Sequence, residues 1–435
     1  MVDAEGRTTV GDLLVSQGGD IKTGPFGTKL KAAQYTSDGV PVVSVGEVDY
    51  GRLVVHEDTP RVNATVTDRM PEYLLREGDI VFGRKGAVDR SARVGADQDG
   101  WFLGSDGIRL RLPSTCDAKF IAYQFQTVAH REWMLQHAAG STMPSLNEGI
   151  IRRIPIIVPR LSEQRAIAEV LGSLDDKIEQ NRRTAAKLEE LARATFRAWF
   201  VDFVPVHAKA AGATSYPGLT PAAFEALPSA FADSPLGPIP EGWEVNTLGA
   251  LCVVGRGSSP RPINNFMGGT IPWLKIADAT AANGPFLYAT KEFVTEAGAS
   301  KSVPVVPGDL ILSNSASCGI PIFVGLEGCI HDGWLHFAHL QRISKGFLYH
   351  WLQWKAAHLI QVADGSVQRN LNTKLIRELP IVVPPVDVHE AFAEINDSLF
   401  NLINAAGHES RHLAALRDYL LPRLLSGAVR VPIGS

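Results

Sequence analysis

The chain has 435 residues, 45% hydrophobic and 20% charged, with 42 Lys+Arg against 46 Asp+Glu for a net charge of −4. At ~100–200 residues per domain this length predicts two to four domains, and the composition excludes a disordered chain, a supercharged histone-like binder and a membrane protein. The near-neutral total also leaves no global basic footprint, so any contact with nucleic acid has to come from local loops.

The amino terminus, Met1-Val2-Asp3-Ala4-Glu5, has neither the basic nor the apolar region of a signal peptide. No run of ~18 apolar residues follows, so a cytoplasmic setting without a membrane is expected. Cys116, Cys252, Cys318 and Cys329 form no C-x-x-C pair, which fits a reducing compartment. Short apolar or alternating runs bounded by Gly, Asp and Pro predict strands at 40–45, 80–82 and 108–112, and again at 271–276 and 310–312. Aromatic and aliphatic residues at three- and four-residue spacing predict helices over 120–137 and 347–362.

The chain repeats itself once. Residues 140–160, GSTMPSLNEGIIRRIPIIVPR, align without a gap on 365–385, GSVQRNLNTKLIRELPIVVPP, with 10 of 21 positions identical. Chance gives about one or two, so the repeat is real. Glu77-Gly78-Asp79-Ile80-Val81 matches Pro307-Gly308-Asp309-Leu310-Ile311 further upstream. Each half therefore runs as a variable region, a Leu-Asn…Pro-Ile-x-Val-Pro hinge and a long helix.

In the first helix Ile167, Leu171, Leu174, Ile178, Asn181, Ala185, Leu188, Ala192, Thr195 and Trp199 alternate steps of four and three. In the second, Phe392, Ile395, Leu399, Leu402, Ala406, Glu409, Leu413, Leu416 and Leu420 do the same. Five heptads at ~1.5 Å per residue make a rod of roughly 50–60 Å, and two such seams in one chain most simply pack on each other. Ser162 is a candidate N-cap, and Asp387 with Glu390 fits a capping box. Asn181 and Glu409 either fix the register of the pair or sit at a solvated edge. Between the halves, 201–242 holds seven of the 27 prolines and reads as a loop-like connector, with a short helix opening at Thr220-Pro221.

Catalytic signatures are missing. There is no G-x-x-x-x-G-K-[ST] phosphate loop, no Asn/Asp-Pro-Pro-aromatic motif of amino-methyltransferases, no Gly-rich nucleotide fingerprint, and no H-E-x-x-H or G-x-S-x-G. Cys329, His331, Asp332, His336 and His339 have metal-ligand residue types, but Trp334, Leu335 and Phe337 among them read as a half-buried strand, so no metal is expected.

Candidate nucleic-acid contacts lie in loops. Segment 82–93 follows a predicted strand and carries Arg84, Lys85, Arg90 and Arg93 against Asp89 alone, a local charge of +3. Arg grips guanine or phosphate bidentately and Lys acts as a point charge; an ordinary solvated hairpin is the alternative. The matching loop in the second half is uncharged but holds Asn314 and Ser315, which hydrogen-bond to bases and sugars. Further candidates are Ser141 and Thr142, Ser366, Gln368 and Arg369 before the hinges, and Arg256 and Arg261 in a Gly/Pro-rich loop.

The run Leu146-Asn147…Ile154-Pro155-Ile156-Ile157-Val158-Pro159, followed by Ser162-Glu163-Gln164, Ile167-Ala168, Leu171, Leu174-Asp175 and Ile178, resembles the conserved region of the DNA specificity subunit of type I restriction–modification enzymes. So do Phe200-Val201-Asp202-Phe203, Ser234-Pro235-Leu236-Gly237-Pro238-Ile239-Pro240-Glu241-Gly242-Trp243 and the two Gly-Asp pairs. The resemblance implies an α+β pseudo-twofold tandem repeat. Two β-rich target-recognition domains, 1–160 and 243–385, would alternate with spacer helices at 161–200 and 386–426, joined through the connector 201–242. The helices would form an antiparallel coiled coil. Each domain would read half of a bipartite, asymmetric site in double-stranded DNA.

Two methyltransferase subunits would dock on the coiled coil, in the region of Gln164, Ile167, Leu171, Leu174, Ile178, Asn181, Leu188, Phe392, Ile395, Leu399, Leu402, Leu413 and Leu416. Restriction motor subunits would join that core. This chain would be non-catalytic and hold no cofactor, with S-adenosylmethionine, ATP and Mg on its partners and adenine N6 as the methylated atom. His389 stands where the first copy has Gln164, so the two docking surfaces are expected to differ. The competing readings are a self-contained nuclease or methyltransferase, which would transfer methyl groups without a partner, and a protein-interaction scaffold, which would lack salt-dependent DNA affinity.

Overall fold

The repeated Leu-Asn…Pro-Ile-x-Val-Pro segment builds the same corner twice in the computed structural model of the chain, which describes residues 6–26, 29–140, 142–282, 284–315, 317–363 and 370–432. The Asn147 side-chain oxygen accepts the Ile150 N–H at 2.9 Å and that of Asn372 the Leu375 N–H at 2.8 Å. Each thereby satisfies an orphan donor and starts a short helix, Glu148–Arg152 or Thr373–Glu378. The Pro-Ile residues that follow are strands. Pro155–Ile157 pairs antiparallel with Arg7–Thr9, and Pro380–Val383 with Glu244–Thr247. The chain forms two compact units, Met1–Ile178 with Arg411–Ser435, and Glu179–Ser410.

In the first unit an antiparallel sheet runs in the order Asp20–Thr23, Gly107–Arg111, Ile80–Gly83, Ser91–Arg93. Its period of two separates two cores. Ile80, Phe82, Ile108 and Leu110 join a core with the helix Ala118–Gln126. Val81 and Ala92 face a second core, with Val42, Val43, Phe102 and Leu103 of a three-stranded sheet. The second unit repeats the device. Its five-stranded sheet runs Val253–Arg256, Trp334–Ala338, Leu310–Ser313, Pro321–Val324, Phe286–Leu287. Leu310 and Leu312 face one core and Ile311 the other.

The Gly-Asp pairs turn the chain into these central strands. Gly78 and Gly308 have φ of 87° and 88°, the left-handed region where a Cβ is disfavoured. The next residue then bonds back: Asp79 accepts the Arg76 N–H at 2.8 Å, and Asp309 the Val306 N–H at 3.0 Å.

Several expectations change. The helix expected over 120–137 is two, Ala118–Gln126 and Val128–His137, because Thr127 is extended and its hydroxyl accepts the His130 N–H. The 201–242 connector is not loose chain. Besides the short helix expected at Thr220-Pro221, which is Pro221–Glu225 capped by Thr220, it carries the helix Val204–Ala210 and places Val206, Ala223, Phe224 and Ile239 in the second unit's core. The Lys209 ammonium ties it down by donating to the carbonyls of Phe224, Glu225 and Leu227 at 3.1, 2.7 and 2.5 Å.

The long helices span Leu161–Phe200 and Val386–Leu425. Ser162 and Asp387 therefore lie inside first turns rather than at caps. The helices pack antiparallel: within the first unit Arg417 donates to Asp175 at 2.7 Å, and within the second Asn181 donates to Glu409 at 2.7 Å. Asn181 is buried, which removes the solvated-edge reading for it.

Ile167, Leu171, Ile178 and Phe392 are buried, and Leu174, Leu188, Ile395, Leu399 and Leu413 half-buried. Leu402 and Leu416 are not seam residues, being 55% and 45% exposed. The second helix instead buries Phe392, Asn396, Phe400 and Ile403. The stripe is rotated because this helix also packs on another helix of the second unit, Lys345–Val362, where the His350 ring nitrogen meets the Asn396 oxygen at 2.9 Å and Phe400 contacts Tyr349.

Gln164 is corrected too. It is 1% exposed, and its oxygen accepts the Asp117 N–H at 2.9 Å. His389 takes the same part, its Nε2 accepting the Ser344 N–H at 2.9 Å. The substitution between copies therefore preserves an acceptor for a helix N-cap, and neither side chain is a docking contact. An accepting Nε2 carries no proton, and burial holds the His389 pKa down against the opposing pull of Asp397. His389→Gln is expected to stay within about 1 kcal/mol of the parent at pH 7.5, and His389→Ala to lose ~1–3 kcal/mol by stranding the N–H; denaturant titration of both variants checks this. No helix among the described residues is long and apolar enough to cross a membrane.

Candidate nucleic-acid interface

The loops nominated separately in each half come together. In the first unit the Leu146 N–H donates to the Arg84 carbonyl at 2.8 Å and the Gly86 N–H to Pro144 at 2.9 Å, joining loop 82–93 to the segment before the hinge. In the second the Leu371 N–H donates to the Asn314 carbonyl at 2.8 Å, and Ser315 bridges to Asn370. Arg84 and Asn314 occupy equivalent places. The Arg84 N–H donates to the Asp106 carbonyl and the Asn314 N–H to that of Gly333, both at 2.9 Å. Their side chains donate to the preceding carbonyls, Ser105 at 3.1 Å and Asp332 at 3.1 Å.

In the first unit the Arg84 guanidinium lies 4.9 Å from the Phe26 ring centre, and that ring is 56% exposed. Lys85 is 3.4 Å from Asp106 across an exposed pair, which is a weak tether that a phosphate can displace. Arg90 has a different job. It lies 5.6 Å from the Tyr50 ring and Arg131 lies 4.0 Å from it, while Asp89 accepts from the Tyr50 hydroxyl at 2.8 Å and from Arg131 at 3.1 Å. Burial raises the Asp89 pKa, but the bonds from Tyr50 and Arg131 outweigh it, leaving the carboxyl below its ordinary range. Arg93 sits 3.9 Å from Glu77, Thr142 is exposed, and Ser141 lies outside the described residues.

Sequence reasoning missed Phe26, Tyr50 and Arg131. They are far along the chain from the loop they meet, so no spacing signal marks them.

In the second unit Asn314 is 1% exposed and faces inward, so it holds the loop rather than offering its side chain to a ligand. Ser315 is half-buried; Ser366, Gln368 and Arg369 lie outside the described residues. Arg256 donates from Nε to the Asp332 carbonyl at 2.7 Å, and Arg261 from Nη2 to its carboxylate at 3.3 Å. A cavity of about 530 Å3 opens beside them. The stretch from Cys329 to His339 is two strands, Gly328–Ile330 and Trp334–Ala338, and among the described residues no three His, Cys, Asp or Glu side chains converge as a metal requires.

Comparison with known proteins bears on the whole chain. The family model for the type I restriction modification DNA specificity domain matches twice, over residues 18–190 and 240–410. Similar proteins include the specificity subunit of the type I restriction enzyme HindI of Haemophilus influenzae, 27% identical over 339 residues, covering 68% of this chain and 73% of that one. The MjaIX specificity subunit of Methanocaldococcus jannaschii is 25% identical over 324 residues, covering 72% and 69%. Among solved structures, the S subunit of the type I restriction–modification system from M. genitalium shares the fold at a TM-score of 0.56 and 18% identity, covering 96% of this chain and 95% of that one. The double match spans most of the sequence: the chain belongs to the type I restriction–modification DNA specificity family and is the non-catalytic specificity component of such an enzyme.

Proposed function

We propose that the chain reads a bipartite, asymmetric sequence in double-stranded DNA, one half with each unit, and brings it to two methyltransferase subunits docked on the long helices. The observation that carries this reading is the shared frame with unlike loops. Arg84 and Asn314 stand at equivalent places, yet the first is a cation beside an exposed aromatic ring and the second a buried amide beside a cleft. A repeated frame suits a partner present in two copies, and unlike loops make the half-sites differ. Restriction motor subunits would add to this core in the cytoplasm. S-adenosylmethionine would be held by the methyltransferase, and ATP and Mg by the motor.

Residues 1–160 carry 19 basic and 20 acidic residues and 241–385 carry 11 and 10. Neither unit therefore supplies a strong non-specific grip, and the isolated chain should bind DNA weakly. Arg84, Lys85, Thr142, Arg261 and Ser315 remain the loop contacts, with Leu402 and Leu416 as exposed apolar residues for docking.

Genome-wide mapping of methylated adenines, with the chain co-expressed with its methyltransferase, tests the reading. A motif of two unlike halves at fixed separation is expected; scattered methylation counts against it. Arg84→Ala with Lys85→Ala should weaken or relax the first half-site by about tenfold and leave the second as it was. A change confined to the second half would reverse the assignment of units to half-sites.

A further inference from the structure

We infer that the cleft around Asp332 reads a guanine in the second half-site, with Arg261 as the specificity-determining residue and Asp332 as its positioning residue. This rests on the DNA-recognition reading above and goes further by naming the reader and the base.

The cleft occupies the place that Phe26 and Arg84 hold in the first unit. The Gly24 N–H donates to the Gly107 carbonyl at 3.0 Å and the Gly257 N–H to that of Trp334 at 2.9 Å, so the loops carrying Phe26 and Arg261 leave equivalent points of the two frames. Its cavity of about 530 Å3 is lined by Ser259, Arg261, Trp273, Lys275, His331 and Asp332, among others.

Asp332 is fixed from several sides before any ligand arrives. The Ser259 hydroxyl donates to its Oδ1 at 2.6 Å, and Arg256 and Asn314 donate to its backbone carbonyl at 2.7 and 3.1 Å. Burial raises its pKa, but the Ser259 bond, a backbone hydrogen bond and Arg256 outweigh that and keep it ionised at neutral pH. Its Oδ2 takes one N–H of Arg261 at 3.3 Å. The Arg261 side chain is otherwise 80% exposed and stands between Pro260 and Pro262, whose rings restrict the backbone that presents it. An arginine held at one edge by a fixed carboxylate keeps its remaining N–H groups as a preset fork, the shape that meets guanine O6 and N7 bidentately.

The cleft is rich in donors. The ring N–H of Trp273 is buried and has no partner among the described residues. His331 accepts the Gly333 N–H on Nδ1 at 2.9 Å, so its proton sits on Nε2, which also has no partner among the described residues. Burial and Lys275 hold His331 neutral. Donors call for an acceptor, which guanine and a backbone phosphate both offer. The pairing of charges favours the base: Arg261 is held by Asp332 and Lys275 by Glu292 at 3.4 Å, so the cleft offers a phosphate no uncompensated cation, whereas a neutral base needs none.

The test uses the chain with its methyltransferase and reads the methylated motif. Arg261→Ala and Arg261→Lys are each expected to lose at least about tenfold discrimination at one G·C pair of the second half-site, leaving the first half-site unchanged. Failure of lysine to rescue separates a bidentate fork from a point charge. Asp332→Asn, which keeps an acceptor for Ser259, should relax the same pair by about threefold. An unchanged motif with uniformly lower methylation in the Arg261 variants would make the contact a phosphate one and overturn the inference, as would relaxation at a different pair in Asp332→Asn. If the parent chain directs no defined motif at all, the DNA-recognition reading itself fails.

Discussion

Replacing Asp79 by Ala is expected to destabilise the first unit by about 3 kcal/mol or more, whereas Asp309→Ala, at the matching place in the repeat, should cost about 1 kcal/mol. The two carboxylates make the same backbone bond but differ in surroundings. Asp79 is 1% exposed, and both its oxygens are engaged by Arg111, at 2.7 Å from Nε and 2.6 Å from Nη2. Removing it deprives the Arg111 guanidinium, only 26% exposed, of its two-point partner and leaves only the weaker pull of Asp20 and Asp99. That strands the Arg76 N–H as well, so two losses coincide. Asp309 meets Lys345 at 3.0 Å across a pair with side-chain exposures of 32% and 40%, where water replaces the partner at little cost. Denaturant unfolding of each variant, with hydrogen exchange to assign the loss to a unit, checks the difference. Equal losses would mean that the turn bond, rather than the buried ion pair, sets the energetics.

That pair illustrates what the sequence does and does not make legible. Gly78-Asp79 and Gly308-Asp309 are visible as a motif because the turn needs a left-handed glycine and an acceptor beside it, both local demands. Asn147 and Asn372 are visible only as a repeated residue in the hinge; that each caps a short helix emerges from the fold. Whether Asp79 meets an arginine or Asp309 a lysine is set by a strand or helix more than 30 residues away, and local pattern carries no trace of it.

The second long helix fails in the same way. Its apolar period is clear, but counting only apolar positions selects Leu399 and Leu402, while the structure buries Phe400, Ile403 and a polar residue, Asn396, whose partner His350 lies on another helix. The connector misleads through its prolines, which rule out a long helix yet open short ones at Val204 and Pro221 and allow Val206, Phe224 and Ile239 to be buried. At the candidate interface the loops were legible as polar and basic segments. The inward turn of Asn314, and the clamp of Arg90 and Arg131 on Tyr50, required the fold.

Acidification from pH 7.5 to 5 is expected to weaken the second unit more than the first, by about 2–3 kcal/mol, with His350 as the main cause. His350 is 1% exposed, its Nε2 hydrogen-bonds with the Asn396 oxygen at 2.9 Å, and its Nδ1 has no partner among the described residues. Burial, with a smaller push from Arg193, lowers its pKa to about 4 despite the favourable bond to Asn396. The unfolded chain takes up this proton near pH 6.5, the folded unit only near 4. Between those values the unfolded state holds more protons, so stability is complete above about 6.5 and is lost as pH falls toward 4. His331, His336 and His389 in the same unit are shifted down by burial and act in the same direction. His130, lowered by burial against its bond to the Pro155 carbonyl, contributes to the first unit. Hydrogen exchange at pH 7.5 and 5, corrected for intrinsic rates, should therefore show protection lost first within 179–410. His350→Gln should flatten that dependence, since a glutamine nitrogen still donates to Asn396 and binds no proton. A pH response unchanged by that substitution would place the sensitivity in the other histidines, and equal responses in both units would remove burial of His350 as its cause.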